Sequence, residues 1–179
     1  MGELSHLVPD FAQVVRITLR LLAALTVGTA IGLQRELTHK TAGLRTHMLV
    51  ALGTALFVVG AAESGASMES LGRVIQGIAA GIGFLGGGVI LRDDSHQSVH
   101  GLTTAASIWV VASLGIACGA GQWLTAVMAL TLTLGVLILL GRVEKRCVGW
   151  FTRGQVFPVP PGPAVPPPPS TGGRPPGLA

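Results

Sequence analysis

Five apolar stretches, each nearly free of charge and each about as long as a bilayer is thick, run through this 179-residue chain. They cover residues 14–33, 46–62, 74–91, 102–118 and 123–140. Each lies near the ~17–25 residues that a helix needs to cross the hydrocarbon, several of them at the short end of that range. A backbone in hydrocarbon must satisfy its own hydrogen bonds, so helices are the form such stretches take. The expected fold is therefore an all-α integral membrane protein with five transmembrane helices and no soluble folded domain. Charged residues make up only 11% of the chain, against about 25% in a soluble domain. That excludes a soluble enzyme, a nucleic-acid-binding domain and a secreted disulfide scaffold. The net charge of +4 comes from basic residues at the ends of apolar runs, so it reads as topology and not as a nucleic-acid surface.

Loop charges set the expected orientation. Residues 34–45 hold Arg35, Lys40 and Arg45 against Glu36, and the segment after the fifth stretch holds Arg142, Lys145, Arg146 and Arg153 against Glu144. The loop after the second stretch carries Glu63 and Glu69 against Arg73, and the link after the fourth carries no charge. Lys/Arg enrichment then places the first loop, the loop at 92–100 and the C-terminus in the cytoplasm, with the N-terminus outside. Arg16 and Arg20 dissent, standing on the outer side. Cys118 and Cys147 fall at opposite ends of one stretch and cannot bridge within a chain. The N-terminus lacks the basic start of a cleaved signal peptide.

The domain reading is a periplasmic segment at 1–13, a five-helix membrane domain at 14–140, an amphipathic cytoplasmic helix at 141–153 and a disordered tail at 154–179. Val143, Cys147, Trp150 and Phe151 supply the apolar face of that helix. The tail holds all but one of the chain's 11 prolines, which precludes a core.

Small residues recur at four-residue spacing: Gly28 and Gly32, Gly77 and Gly81, Gly83 and Gly87, Gly115 and Gly119. Such pairs let membrane helices approach closely, so Gly28, Gly32, Gly77, Gly81, Gly83, Gly86, Gly87 and Gly88 are candidate packing positions. The alternative at Gly86, Gly87 and Gly88 is a helix break lining a cavity. A phosphate loop needs a Lys-Ser/Thr end, which is missing. The richest polar segment, QRELTHKTAGLRTH, holds Arg35, Glu36, Lys40, Arg45 and His47. It serves topology, or an electrostatic clamp with Glu36 and Lys40 at i, i+4, or a basic pocket for an anionic headgroup or nucleotide phosphate. Asp93, Asp94, His96 and His100 form either a polar turn or a divalent-cation group. Trp109 reads as packing. No nucleophile–base pair, Walker motif or zinc spacing is present, so no catalytic, cofactor or metal residue is assigned and no cofactor is expected. No Asp or Glu lies inside a span, which disfavours an ion-coupled transporter.

The segments GLQREL…KTAGLRTHMLVALGTALF, GIAAGIGFLGGGVIL and GLTTAASIWVVASLGIACGAG, in this order, resemble the membrane domain of the MgtC/SapB family over residues 14–140. The resemblance places the family motif on Arg35, Glu36, Lys40, Gly43, Leu44, Arg45, Thr46 and His47, and on Gly81, Phe84, Gly86, Gly88, Gly101, Thr103, Thr104 and Trp109. It implies a multi-pass bacterial inner-membrane protein linked to growth in low magnesium and, in pathogens, to virulence. It further implies a non-enzymatic regulator of membrane potential or ATP synthase. The partners it implies are the lipid bilayer, a second copy of the chain, and another membrane protein such as ATP synthase or a cation pump. An oligomeric transporter or channel for Mg2+ or another cation is the alternative, and a lipid-headgroup sensor a third reading. Virulence members add a folded cytoplasmic domain, where this chain has its proline-rich tail.

Overall fold

A computed structural model describes residues 10–93 and 98–143. Five helices form: α1 (Phe11–Leu37), α2 (Leu44–Glu63), α3 (Met68–Gly88), α4 (Leu102–Gly119) and α5 (Trp123–Gly135). α5 continues through a π-helical turn at Val136–Leu140. A two-stranded antiparallel hairpin, β1 (Leu91–Asp93) with β2 (Ser98–His100), joins α3 to α4, with Leu91 opposite His100. Residues 142–179 belong to a second unit, so the expected amphipathic helix and tail lie almost wholly outside the described residues.

Four helices, α1, α2, α4 and the stretch Trp123–Val143, are long and apolar enough to cross a membrane. The remaining one of the five expected spans, α3, forms as a helix but does not reach that apolar content. That helix starts six residues earlier than its apolar stretch and takes in Glu69 and Arg73, which pair at 2.6 Å across one exposed turn. Its glycines also replace apolar side chains with bare backbone, lowering its apolar content further. It ends at Gly88, so Leu91 belongs to β1 instead of a span.

The packing is built on α2. At Gly28 of α1, an added Cβ would stand 2.8 Å from the His47 carbonyl oxygen and 3.0 Å from the Ala51 Cβ. At Gly32 it would stand 2.9 Å from the Leu44 Cα. On the other side of α2, a Cβ at Gly115 of α4 would strike the Thr54 hydroxyl, and one at Gly119 would meet the Ala55 carbonyl at 2.8 Å. These registers make α2 antiparallel to α1 and parallel to α4. Both neighbours thus lie at backbone distance, where dispersion contacts and not water exclusion hold membrane helices together. Ala24, Ile31, Ala51, Val111 and Leu114 fill the core shared by α1, α2 and α4, with Ala126 of α5 at its edge. Val58, Ile78, Ile82 and Ile108 fill a second between α2, α3 and α4.

Outside, the molecule is apolar. Phe84 is 86% exposed and Leu124 73%, whereas the buried polar residues are Arg35, His47, Thr54, Thr104 and Ser107. This inversion suits a hydrocarbon solvent, which charges nothing for exposed leucine. Arg20, anomalous by loop charge, rests its guanidinium against Gly121, the left-handed residue (φ 74°) that closes α4. There it faces the negative end of the helix dipole, which accounts for a cation at that end.

Two substitutions separate close approach from helix propensity. Gly115→Ala should lower thermal stability in lipid nanodiscs by about 1–3 kcal/mol, the cost of overpacking. Gly53→Ala, where nothing lies within 4 Å, should be neutral or stabilising by about 0.5–1 kcal/mol. Equal losses at both positions would refute the packing seam.

Candidate functional site

The C-termini of α1 and α3 and the N-termini of α2 and α4 meet at one end of the bundle, and the polar side chains gather there. α1 ends in a Schellman turn: the Lys40 N–H donates to the Arg35 carbonyl (3.1 Å) and the His39 N–H to that of Glu36 (3.0 Å). His39 occupies the left-handed position (φ 53°) where α4 uses a glycine. Because α1 stops at Leu37, Lys40 is off the helix, and the i, i+4 pairing of Glu36 with Lys40 does not form. Instead the Glu36 carboxylate reaches across the turn and accepts the Leu44 N–H at 2.9 Å. That caps α2 and sets a negative charge at its positive end. Gly43 leaves room for this carboxylate, because a Cβ there would fall on the Glu36 oxygen.

One turn into α2, His47 is completely buried. Its Nδ1 lies 2.8 Å from the Gly43 carbonyl oxygen. A carbonyl only accepts, so Nδ1 carries a proton. On the far side of the ring, Nε2 lies 3.0 Å from the Ser107 hydroxyl of α4. The Ser107 hydroxyl also lies 2.8 Å from the Thr104 carbonyl, so its one proton goes either to that oxygen or, with the imidazole neutral, to Nε2, and the Thr104 hydroxyl accepts from Arg35 Nη2 of α1 at 2.9 Å. Arg35, Thr104 and Ser107 are each 3% exposed. Three helices are therefore joined by a chain of buried polar groups, Arg35–Thr104–Ser107–His47, in which the Thr104–Ser107 link runs through the Thr104 backbone carbonyl. No carboxylate within ion-pair distance of Arg35 occurs among the described residues, and its Nε is buried without a partner.

At the start of α4, Gly101 adopts φ 93°, and a Cβ on it would strike the Val89 carbonyl. The turn that delivers Thr104 to Arg35 thus requires glycine.

Of the motif residues, Arg35, Glu36, Gly43, His47, Gly101 and Thr104 come together here. Lys40, Arg45, Thr46 and Thr103 are exposed around them, and Trp109, 53% exposed, faces outward along α4. Gly28 and Gly32 line the seam with α2. Gly86 stands against Ala105, with 3.7 Å to its Cβ, while Gly77, Gly81, Gly83, Gly87 and Gly88 face space with nothing within 4 Å. Asp94 and His96 lie outside the described residues. Ser107 was not singled out in the sequence as a site residue. The signal was its place three residues after Thr104, which puts both hydroxyls on one face of α4.

The model of the MgtC family matches residues 21–146. SrpB of Synechococcus elongatus is 40% identical over 148 residues, covering 76% of this chain and 80% of that protein. MgtC of Salmonella typhimurium is 43% identical over 128 residues, 72% of this chain. YhiD of Escherichia coli, provisionally named a magnesium transporter, is 40% identical over 133 residues, 70% of this chain. The chain spans 54% of MgtC and 60% of YhiD. No solved structure matches.

Two stability changes follow from the geometry. Ser107→Ala strands His47 Nε2 in the core and should cost about 1–3 kcal/mol. His39→Gly relieves a left-handed non-glycine residue and should add about 1 kcal/mol. Thermal unfolding in nanodiscs measures both, and a stabilising Ser107→Ala would contradict the hydrogen-bonded chain.

Proposed function

The chain belongs to the MgtC family, and we propose that it is a non-enzymatic regulator in the bacterial inner membrane, acting in adaptation to low magnesium. Membership and the names of the relatives support a magnesium-related, multi-pass membrane protein. The choice of regulator over carrier rests on one observation: among the described residues, the buried polar groups at the gathered helix ends are a guanidinium, an imidazole and hydroxyls, with no carboxylate. A divalent cation passing there would meet Arg35 in a medium of low dielectric, with no buried carboxylate among the described residues to offset its charge. α3 also runs unbroken to Gly88, so its glycines do not open a path within the helix.

In this reading the end of the bundle bearing residues 35–47 faces the cytoplasm, as the Lys/Arg bias of the loops favours. Exposed Lys40, Arg45 and Thr46 form the control surface, and the buried chain beneath holds it in shape. The target is another membrane protein, such as ATP synthase or a cation pump, or a second copy of the chain. α3 offers it Gly77 and Gly81 beside an apolar groove of about 440 Å³ lined by Thr54, Phe57, Val74, Ile78 and Ile82. Control of membrane potential or ATP synthase, and a part in virulence, follow from the family resemblance.

The name of the E. coli relative favours the second reading, an oligomeric transporter or channel for Mg2+ or another cation. Two experiments separate the readings. Arg45→Glu should abolish growth in low magnesium while leaving the membrane-inserted amount unchanged, and wild-type growth would refute the control surface. Purified protein in liposomes should carry no Mg2+ or proton flux above empty vesicles. Saturable flux lost in Glu36→Gln would establish the transporter.

A further inference from the structure

Among the described residues, the buried cation at the polar end of the bundle has no carboxylate within ion-pair distance. Arg35 is 97% withdrawn from solvent by its 3% exposure, and its guanidinium donates to a hydroxyl in the first turn of α4. The first turn of α4 has no acidic residue and no side-chain cap. The carboxylate next along the chain, Glu36, is directed to the Leu44 N–H of α2. α2 therefore has its anion at its N-terminus, and α4 has a cation there instead. Buried charges are normally paired; Arg35 Nε is buried with no hydrogen-bond partner, and the bond from Nη2 to the Thr104 hydroxyl places the guanidinium beside the turn that opens α4.

We propose that the Arg35 guanidinium and the N-terminal turn of α4 together bind a phosphate group. Free amides at a helix start fan toward a single point and favour negative charge. A guanidinium beside them adds a planar fork that matches phosphate oxygens. The hydroxyls of Thr103 and Thr104 stand in the same turn, and Leu102 and Thr103 are exposed, which gives a phosphate its side of approach. The phosphate is that of a lipid headgroup or free inorganic phosphate, and both present the same oxyanion to these donors. The site is independent of the regulator reading, since binding is measured without reference to growth or flux.

The test uses the full chain purified in a phosphate-free maltoside detergent, with the thermal unfolding midpoint as readout. One arm adds inorganic phosphate against chloride at equal ionic strength. The other adds phosphatidylglycerol against a glycolipid that has no phosphate. The arm that responds identifies the source, with an expected rise of about 3 °C at saturation. Arg35→Lys keeps the charge but loses the fork and should reduce the response severalfold. Thr103→Asp supplies a carboxylate to the helix start, so it should raise the midpoint without ligand and abolish the response. No shift in either arm overturns the proposal, and so does a full response in both variants.

Discussion

The distance between α2 and its two neighbours controls everything at the polar end of the bundle. Gly28 and Gly32 bring α1 onto the backbone of α2, and Gly115 and Gly119 bring α4 onto its other side. Serine and threonine are short, so a hydroxyl on α4 reaches an imidazole on α2 only when the two backbones nearly touch. Ser107 meets His47 at 3.0 Å, about two turns along α4 from the first glycine of the seam. The seam is apolar and the cluster polar, but the second exists because of the first.

The cluster in turn explains an arrangement that would be perverse in water. Leucine, phenylalanine and methionine point outward while arginine and histidine are buried. In hydrocarbon, exposing apolar side chains is free, and polar groups associate because the alternative is an unsatisfied donor. The polar chain is therefore a specific adhesive at one end of three helices, and the exposed basic residues around it are held in place by its geometry. Glu36 contributes from outside the core by capping α2, so the turn between α1 and α2 is fixed at both of its ends.

The apolar runs made the helices legible in the sequence, and the four-residue glycine spacing identified the seam at Gly28, Gly32, Gly115 and Gly119. Hydropathy started α3 six residues late, because a window centred on its apolar half does not register Glu69 and Arg73 upstream. The segment at 34–47 was recognisably rich, yet its internal division was hidden. Whether Arg35 is buried and Lys40 exposed depends on where α1 stops, and the left-handed His39 decides that. The contacts of Arg35 with Thr104 and of His47 with Ser107 span 69 and 60 residues, beyond any local periodicity. Glycines on α3 carried the same spacing signal as those on α1 and α4 but face open space, since spacing records that a helix can be approached closely and not what approaches it.

The most direct test of the buried chain is a double-mutant cycle between His47→Gln and Ser107→Ala, read as thermal unfolding free energy in lipid nanodiscs. A coupling of about 0.5–3 kcal/mol is the expected result, the range for residues sharing one hydrogen-bond network. Additive losses would mean that the two side chains contribute separately, and would contradict a polar chain that binds α2 to α4.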